Sequence, residues 1–169
     1  MMEHDDGPGG GLIDPVAMVS LATLLVNDHV LKAAARSTPW AVVTGKLSDV
    51  AGMVFFPILV VAGVELWQRW RRSHEAPQVR QAVVVAVVVA VVFAATKVSV
   101  DAGNVYAWSL AVLQWPFRAG LTWLSSSSLP ALRPVAHVVD PTDVLTVVGA
   151  VYVVWQTRWR ARASRLRRG

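Results

Sequence analysis

The sequence predicts an all-α integral membrane protein: a helical bundle of four transmembrane helices plus an interfacial helical segment. Three observations predict it. Apolar residues make up 54% of the 169 residues and charged residues only 16%, against a charged share of about a quarter in soluble domains. The apolar residues gather into four stretches, each close to the roughly 20 residues that a helix needs to cross the hydrocarbon. The Arg residues concentrate at the ends of these stretches: Arg69, Arg71, Arg72 and Arg80 in one group, and Arg158, Arg160, Arg162, Arg165, Arg167 and Arg168 in another.

Residues 1–11 read as a disordered leader, because Gly7-Pro8-Gly9-Gly10-Gly11 has no side chains to pack. The opening Met1-Met2-Glu3-His4-Asp5-Asp6 has no Lys or Arg, so no secretory signal is expected there. A membrane domain over residues 12–159 follows, with spans at about 12–35, 48–71, 81–99 and 140–159. The first span has a short apolar heart, Val16 to Val26, and meets Asn27-Asp28-His29 directly. The second is expected to be capped by Ser48 and is apolar from Val50 to Trp67 except at Glu65. Pro57 is tolerated there as a kink. Trp67 and Trp70 anchor its end at the interface, and Glu65 is expected to pair with Arg69, four residues on.

The third span is almost all Val and Ala from Val83 to Val92. In water such a run also suits a buried strand, and its length and Arg-rich flank decide for a helix. Residues 106–124 carry Trp108, Trp115, Trp123 and a central Pro116-Phe117-Arg118, which suits a helix lying in the membrane interface. Ser125 to Ser128 with Pro130 and Pro134 marks a loop. The fourth span starts with Asp140 as N-cap, Pro141 at the first helical position and Asp143 near the positive end of the helix dipole. Gly52, Gly149 and Ala150 are small enough for close helix packing. Residues 160–169 form a basic tail.

Charge sets the orientation. Basic segments favour the cytoplasm, so the Arg69–Arg80 loop and the Arg-rich tail are placed there, with spans three and four as the two crossings between them. Both termini are then cytoplasmic, and a crossing at 106–124 would break the rule. The Arg groups abut apolar spans, so anionic lipid headgroups, not nucleic acid, are their expected partners besides the bilayer itself. An oligomeric or membrane-complex partner is also compatible with the composition. With no Cys in the chain, disulfides, thiolate metal sites and cysteine nucleophiles are excluded. No Gly-rich phosphate loop, zinc-protease helix or serine-nucleophile elbow is present.

This orientation brings one polar group at each span to the extracytoplasmic face: Asn27, Asp28, His29 and Lys32; Lys46, Ser48 and Asp49; Lys97 and Asp101; Asp140 and Asp143. Asp28 and Lys32 are four apart and share a helix face, and Lys97 and Asp101 do so if the third span runs on that far. Asn27 and His29 point elsewhere, so at least one of them is expected to face the bundle. Simple structural roles exist for single residues: Ser48 and Asp140 as caps, Lys97 snorkelling to the interface, His4 and His74 as solvated loop residues, and His137 as loop surface or as an addition to the site. Together the set suits three functions. It can bind an ion or lipid headgroup in a transport-related protein. It can serve an intramembrane lipid-phosphate enzyme, with a divalent cation on Asp28, Asp49, Asp140 and Asp143 and with His29 as base. Or it can lock helices in a structural or assembly subunit.

Two resemblances follow from these motifs. Asp28, Ala35-Arg36, Gly45 and Asp49 fall in the register of the CDP-alcohol phosphotransferase motif Asp-x2-Asp-Gly-x2-Ala-Arg-x8-Gly-x3-Asp-x3-Asp. Leu31 and Met53 stand where that family has carboxylates, and Lys32 where it has Gly, so the echo lacks metal ligands and base. Asn-Asp-His-x-Leu-Lys at Asn27–Lys32, Gly-Lys-Leu-Ser-Asp-x-x-Gly at Gly45–Gly52 followed by Phe55-Phe56-Pro57, and Asp-Pro-Thr-Asp at Asp140–Asp143 resemble a group of small, uncharacterised bacterial four-span membrane proteins. That resemblance implies a multi-pass protein of the bacterial cytoplasmic (inner) membrane, and it carries no activity.

Overall fold

The computed structural model describes residues 9–35, 38–71, 78–125 and 128–166. Leader residues 1–8 with His4, and Arg36, Arg72, His74, Arg167 and Arg168, lie outside the described residues. The described chain is helical and contains no strand. A 3-10 turn at Gly10–Ile13 leads into helix α1 (Pro15–Ala35), whose middle widens into a π turn at Asn27–Leu31. Then come α2 (Trp40–Trp70), α3 (Val79–Val98), α4 (Val100–Leu124), a 3-10 segment at Pro141–Ala150, and α5 (Val151–Leu166). Helices α1, α2 and α3 are long and apolar enough to cross a membrane.

Four boundaries differ from expectation. Gly9 to Gly11, assigned to the leader, are fixed in place: Gly9 takes a left-handed φ of 82°, a conformation that glycine adopts without strain. Helix α2 begins at Trp40, not Ser48. Pro39 precedes the first turn, where proline's missing N–H costs nothing, and the polar Thr44 to Asp49 run continues the helix. Helix α3 stops at Val98. Ser99 is extended (φ −123°, ψ 125°), and its side chain accepts from Ala102 N, capping α4, so α4 starts six residues before the expected interfacial segment at Tyr106. The fourth element starts at Pro141 as expected but as a 3-10 helix, and α5 runs on to Leu166. Arg160, assigned to the tail, is helical and 4% exposed.

The chain forms two compact units, Met1–Val91 with Leu145–Gly169, and Val92–Val144. In the first, α1 runs antiparallel to α2: Asn27 meets Thr44 and Ser48, while Gly11 at the other end lies near Ile58. Helix α5 runs parallel to α2: Gly149 approaches Met53 and Val54, and Arg160 meets Glu65. The buried stripe of α2 (Ser48, Ala51, Gly52, Ile58, Val61, Ala62 and Glu65) follows the spacing of three and four that puts residues on one helix face. On α3, Ala82 and Ala86 are buried while Val84, Val87, Val88 and Val91 are exposed. Small residues face the protein, as in helix pairs packed within lipid.

In the second unit residues 128–140 run back along α4. Trp115 Nε1 donates to Pro130 O (2.9 Å), Val135 N to Ala107 O (3.2 Å), and a His137 ring nitrogen bonds Thr96 O at 2.8 Å. Tyr106 meets the His137 ring edge-on. Gly103 lies under that ring, and an added Cβ would stand 2.8 Å from His137 Cδ2. Gly103→Ala is therefore expected to displace His137 and cost about 1–3 kcal/mol of stability. Thermal melting of the purified variant checks this, and an unchanged melting temperature would contradict it.

Candidate functional site

The polar end of α1 is built around its π turn. Such a turn adds a residue to the helix and recurs at functional sites. Here it carries Asn27, which is completely buried. The Asn27 Nδ2 amide donates to Thr44 O and to Ser48 Oγ, both at 2.6 Å. Ser48 Oγ in turn donates to Asp28 Oδ1 at 2.7 Å, and Lys32 Nζ reaches the same oxygen at 2.7 Å. The result is a continuous chain from a buried amide to a half-exposed ion pair. The Thr44 carbonyl fixes the amide orientation, since only an N–H can face it. The Asn27 carbonyl oxygen Oδ1 is thereby left buried with no hydrogen-bond partner among the described residues. Buried polar atoms without a partner are rare and usually mark a site for water, an ion or a ligand.

Several expected residues do assemble. Asp28 and Lys32 form the expected pair four residues apart, Asn27 faces the bundle, and Ser48 joins them as a bridge from inside α2 instead of as its cap. Ser48 can do so because a hydroxyl both donates and accepts. His29 is exposed, and Lys46 and Asp49 are half-buried on α2. In the second unit Lys97 pairs with Asp143 (2.8 Å) and not with Asp101, because the Ser99 break places Lys97 and Asp101 on different helices. Lys97 also lies over the Phe93 ring, while Asp101 is exposed in the first turn of α4. Asp140 acts as the expected cap, with Oδ1 accepting from Thr142 N and Oγ1. Among the described residues no group of three His, Asp or Glu side chains that could hold a metal ion is present. Met53, at a carboxylate position of the phosphotransferase motif, is 2% exposed in the apolar core.

Sequence reading missed a second polar cluster, at the opposite end of α2. Glu65 does not pair with Arg69. It meets Arg160 through two parallel bonds, Nη1 to Oε1 at 2.9 Å and Nη2 to Oε2 at 3.0 Å, and Oε2 also accepts from Gly9 N at 2.8 Å. Gln156 Nε2 donates to Gly11 O, and Tyr152 OH to Asp14 Oδ1, the cap of α1. The available signal was the spacing of Gln156 and Arg160, which share one helix face with Val153. An ionisable residue on an apolar face calls for an opposite charge on a neighbour, and Glu65 is the acidic residue inside the apolar run of α2. Comparison with protein-family models, curated proteins and solved structures returns no match.

Proposed function

We propose that this chain is a four-span protein of the bacterial inner membrane, termini in the cytoplasm, that binds a small cation at the extracytoplasmic end of α1. The completely buried Asn27, with its unpartnered Oδ1 beside Ser48 and Asp28, carries this reading. The fourth crossing is the 3-10 segment with α5. Its 10 and 16 residues span about 44 Å at roughly 2.0 and 1.5 Å per residue, more than the ~30 Å hydrocarbon. The parallel course of α2 and α5 supports this topology.

The donor set favours a cation over a phosphate headgroup. Asn27 Oδ1, Ser48 Oγ and the Asp28 carboxylate are all hard oxygen donors, which suit alkali and alkaline-earth cations. In this hydrogen-bonded network a phosphate would find the Lys32 ammonium already paired with Asp28. With a single carboxylate in the network, a monovalent ion matches the charge. Lys32 is the gate. Its pair with Asp28 is 43% and 47% exposed, and exposed pairs contribute at most about 1 kcal/mol, so a cation can displace the ammonium. Coupling of that exchange to passage across the bilayer would make the protein transport-related.

Titrating purified protein with sodium, potassium and magnesium salts, at constant ionic strength, tests the proposal through the melting temperature. One monovalent cation is expected to raise it in the wild type. Asp28→Asn is expected to abolish the effect, and Lys32→Met to move the midpoint to a concentration up to about fivefold lower, since displacing the pair is worth up to ~1 kcal/mol. If wild type and Asp28→Asn respond alike to every ion, the site is a lock between α1 and α2, as in a structural subunit. Cation flux in liposomes then separates binding from transport.

A further inference from the structure

Helix α4 carries an apolar face that nothing in its own unit covers. At 100° per residue, Gly103, Ala107, Ala111 and Trp115 form one seam, and the returning residues 128–140 lie along it, touching Gly103, Ala107 and Trp115. Asn104, Gln114 and Arg118 fall on that same side. Val105, Val112, Leu113, Phe117 and Trp123 fall on the opposite side, all 57–75% exposed. Asn104, Gln114, Arg118 and the return thus occupy one half of the helix, and the other half is apolar except at Asp101 and Ser109.

We infer that α4 and its return form a surface hairpin that lies flat on the extracytoplasmic leaflet, with the Leu113–Phe117–Trp123 face sunk into the lipid interface. The inference rests on the four-span reading. Two observations select lipid as the occupant. First, α4 begins two residues after α3 ends, at Val98, so it starts where a crossing helix leaves the hydrocarbon. Since α2 and α5 are parallel in the first unit, the chain between them must cross the membrane an odd number of times. Helix α3 supplies that crossing, and α4 cannot add one. Second, residues 128–140 form neither helix nor strand and include Pro130 and Pro134. Most of their peptide groups, beyond Val135 N, Pro130 O and Asp140 O, need water that the hydrocarbon core does not hold. A helix tied along its length to such a segment stays at the interface. There the two faces match their surroundings: Trp and Phe sit at headgroup level, and the apolar half of an interfacial helix sinks about 5–10 Å.

The chain has no cysteine, so single-Cys variants carry a spin label at one known place. Val105→Cys and Val112→Cys report on the apolar face, Gln114→Cys on the opposite one, and Val88→Cys on the exposed side of α3. The probes are oxygen and a water-soluble nickel chelate, in vesicles of phosphatidylcholine with phosphatidylglycerol. Labels at 105 and 112 are expected to favour oxygen over nickel at shallow depth, the label at 114 to favour nickel, and the label at 88 to lie deep. Nickel access at 112 as high as at 114 would mean a bare face or a water-filled contact. Spin–spin coupling between copies at 112 would make a second chain the occupant. Either result overturns the hairpin while leaving the four-span reading in place. Equal depth at 112 and 88 would mean that α4 crosses the bilayer, and a shallow or aqueous label at 88 that α3 does not; either removes the four-span reading and this inference with it.

Discussion

Arg160→Met is expected to lower stability by about 3–5 kcal/mol, the usual cost of removing one partner of a buried ion pair. The side chains of Arg160 and Glu65 are 3% and 9% exposed. Two parallel bonds and the Gly9 amide hold the Glu65 carboxylate, and without the guanidinium only Gly9, among the described residues, remains. Glu65→Leu is expected to cost about as much, by leaving a buried cation without its carboxylate. The double variant Glu65→Leu with Arg160→Met is expected to recover most of the loss, because apolar replacement of a buried pair is often neutral or stabilising. Arg160→Lys should not rescue, since an ammonium cannot form the two-pronged contact. Melting temperatures in detergent micelles order these variants. The same cluster fastens the strap from Gly9 to Asp14 through Glu65, Gln156 and Tyr152, so Arg160→Met should also expose that strap to protease. A stable Arg160→Met protein with a protected strap would show that the pair contributes little.

What the sequence revealed divides along a physical line. Apolar length and flanking Arg residues announce candidate spans without any knowledge of neighbours, and the Val-rich third stretch was correctly read as a helix. Local spacing announces pairs within one helix, so Asp28–Lys32 was legible. The pairs that hold helices together were not. Glu65–Arg160 links positions 95 residues apart, and which carboxylate meets which guanidinium depends on the register of α2 against α5. Ser48 was read as a cap because its neighbours are polar, and its bridging role needs α1 alongside. The break at Ser99 was a nearer miss. Ser99 followed by Asp101 is a helix start by the same rule that found Asp140, but the apolar run around it argued for continuity. That single cap moves Lys97 away from Asp101.

The consequence is measurable in the second unit, where Lys97 pairs with Asp143 at 2.8 Å and both side chains are about nine-tenths buried. Removing either partner should not cost the same. Lys97 has a four-carbon stem and lies in the last turn of α3, so without Asp143 its ammonium can snorkel toward water while the stem stays packed. It also keeps its position over Phe93, a contact of about 0.5–2 kcal/mol. Asp143 has one carbon between backbone and carboxylate and sits in the first turn of a 3-10 segment, so it cannot follow the solvent. Lys97→Met is therefore expected to cost about 3–5 kcal/mol, and Asp143→Asn only about 1–2 kcal/mol, the range for a hydrogen bond weakened but not orphaned. Exchanging the two as Lys97→Asp with Asp143→Lys should restore part of the loss, because the attraction survives while the snorkelling route does not. Equal costs for the two single variants, measured by thermal melting in the same micelles, would mean that the ammonium is held by the protein and not by its reach to water.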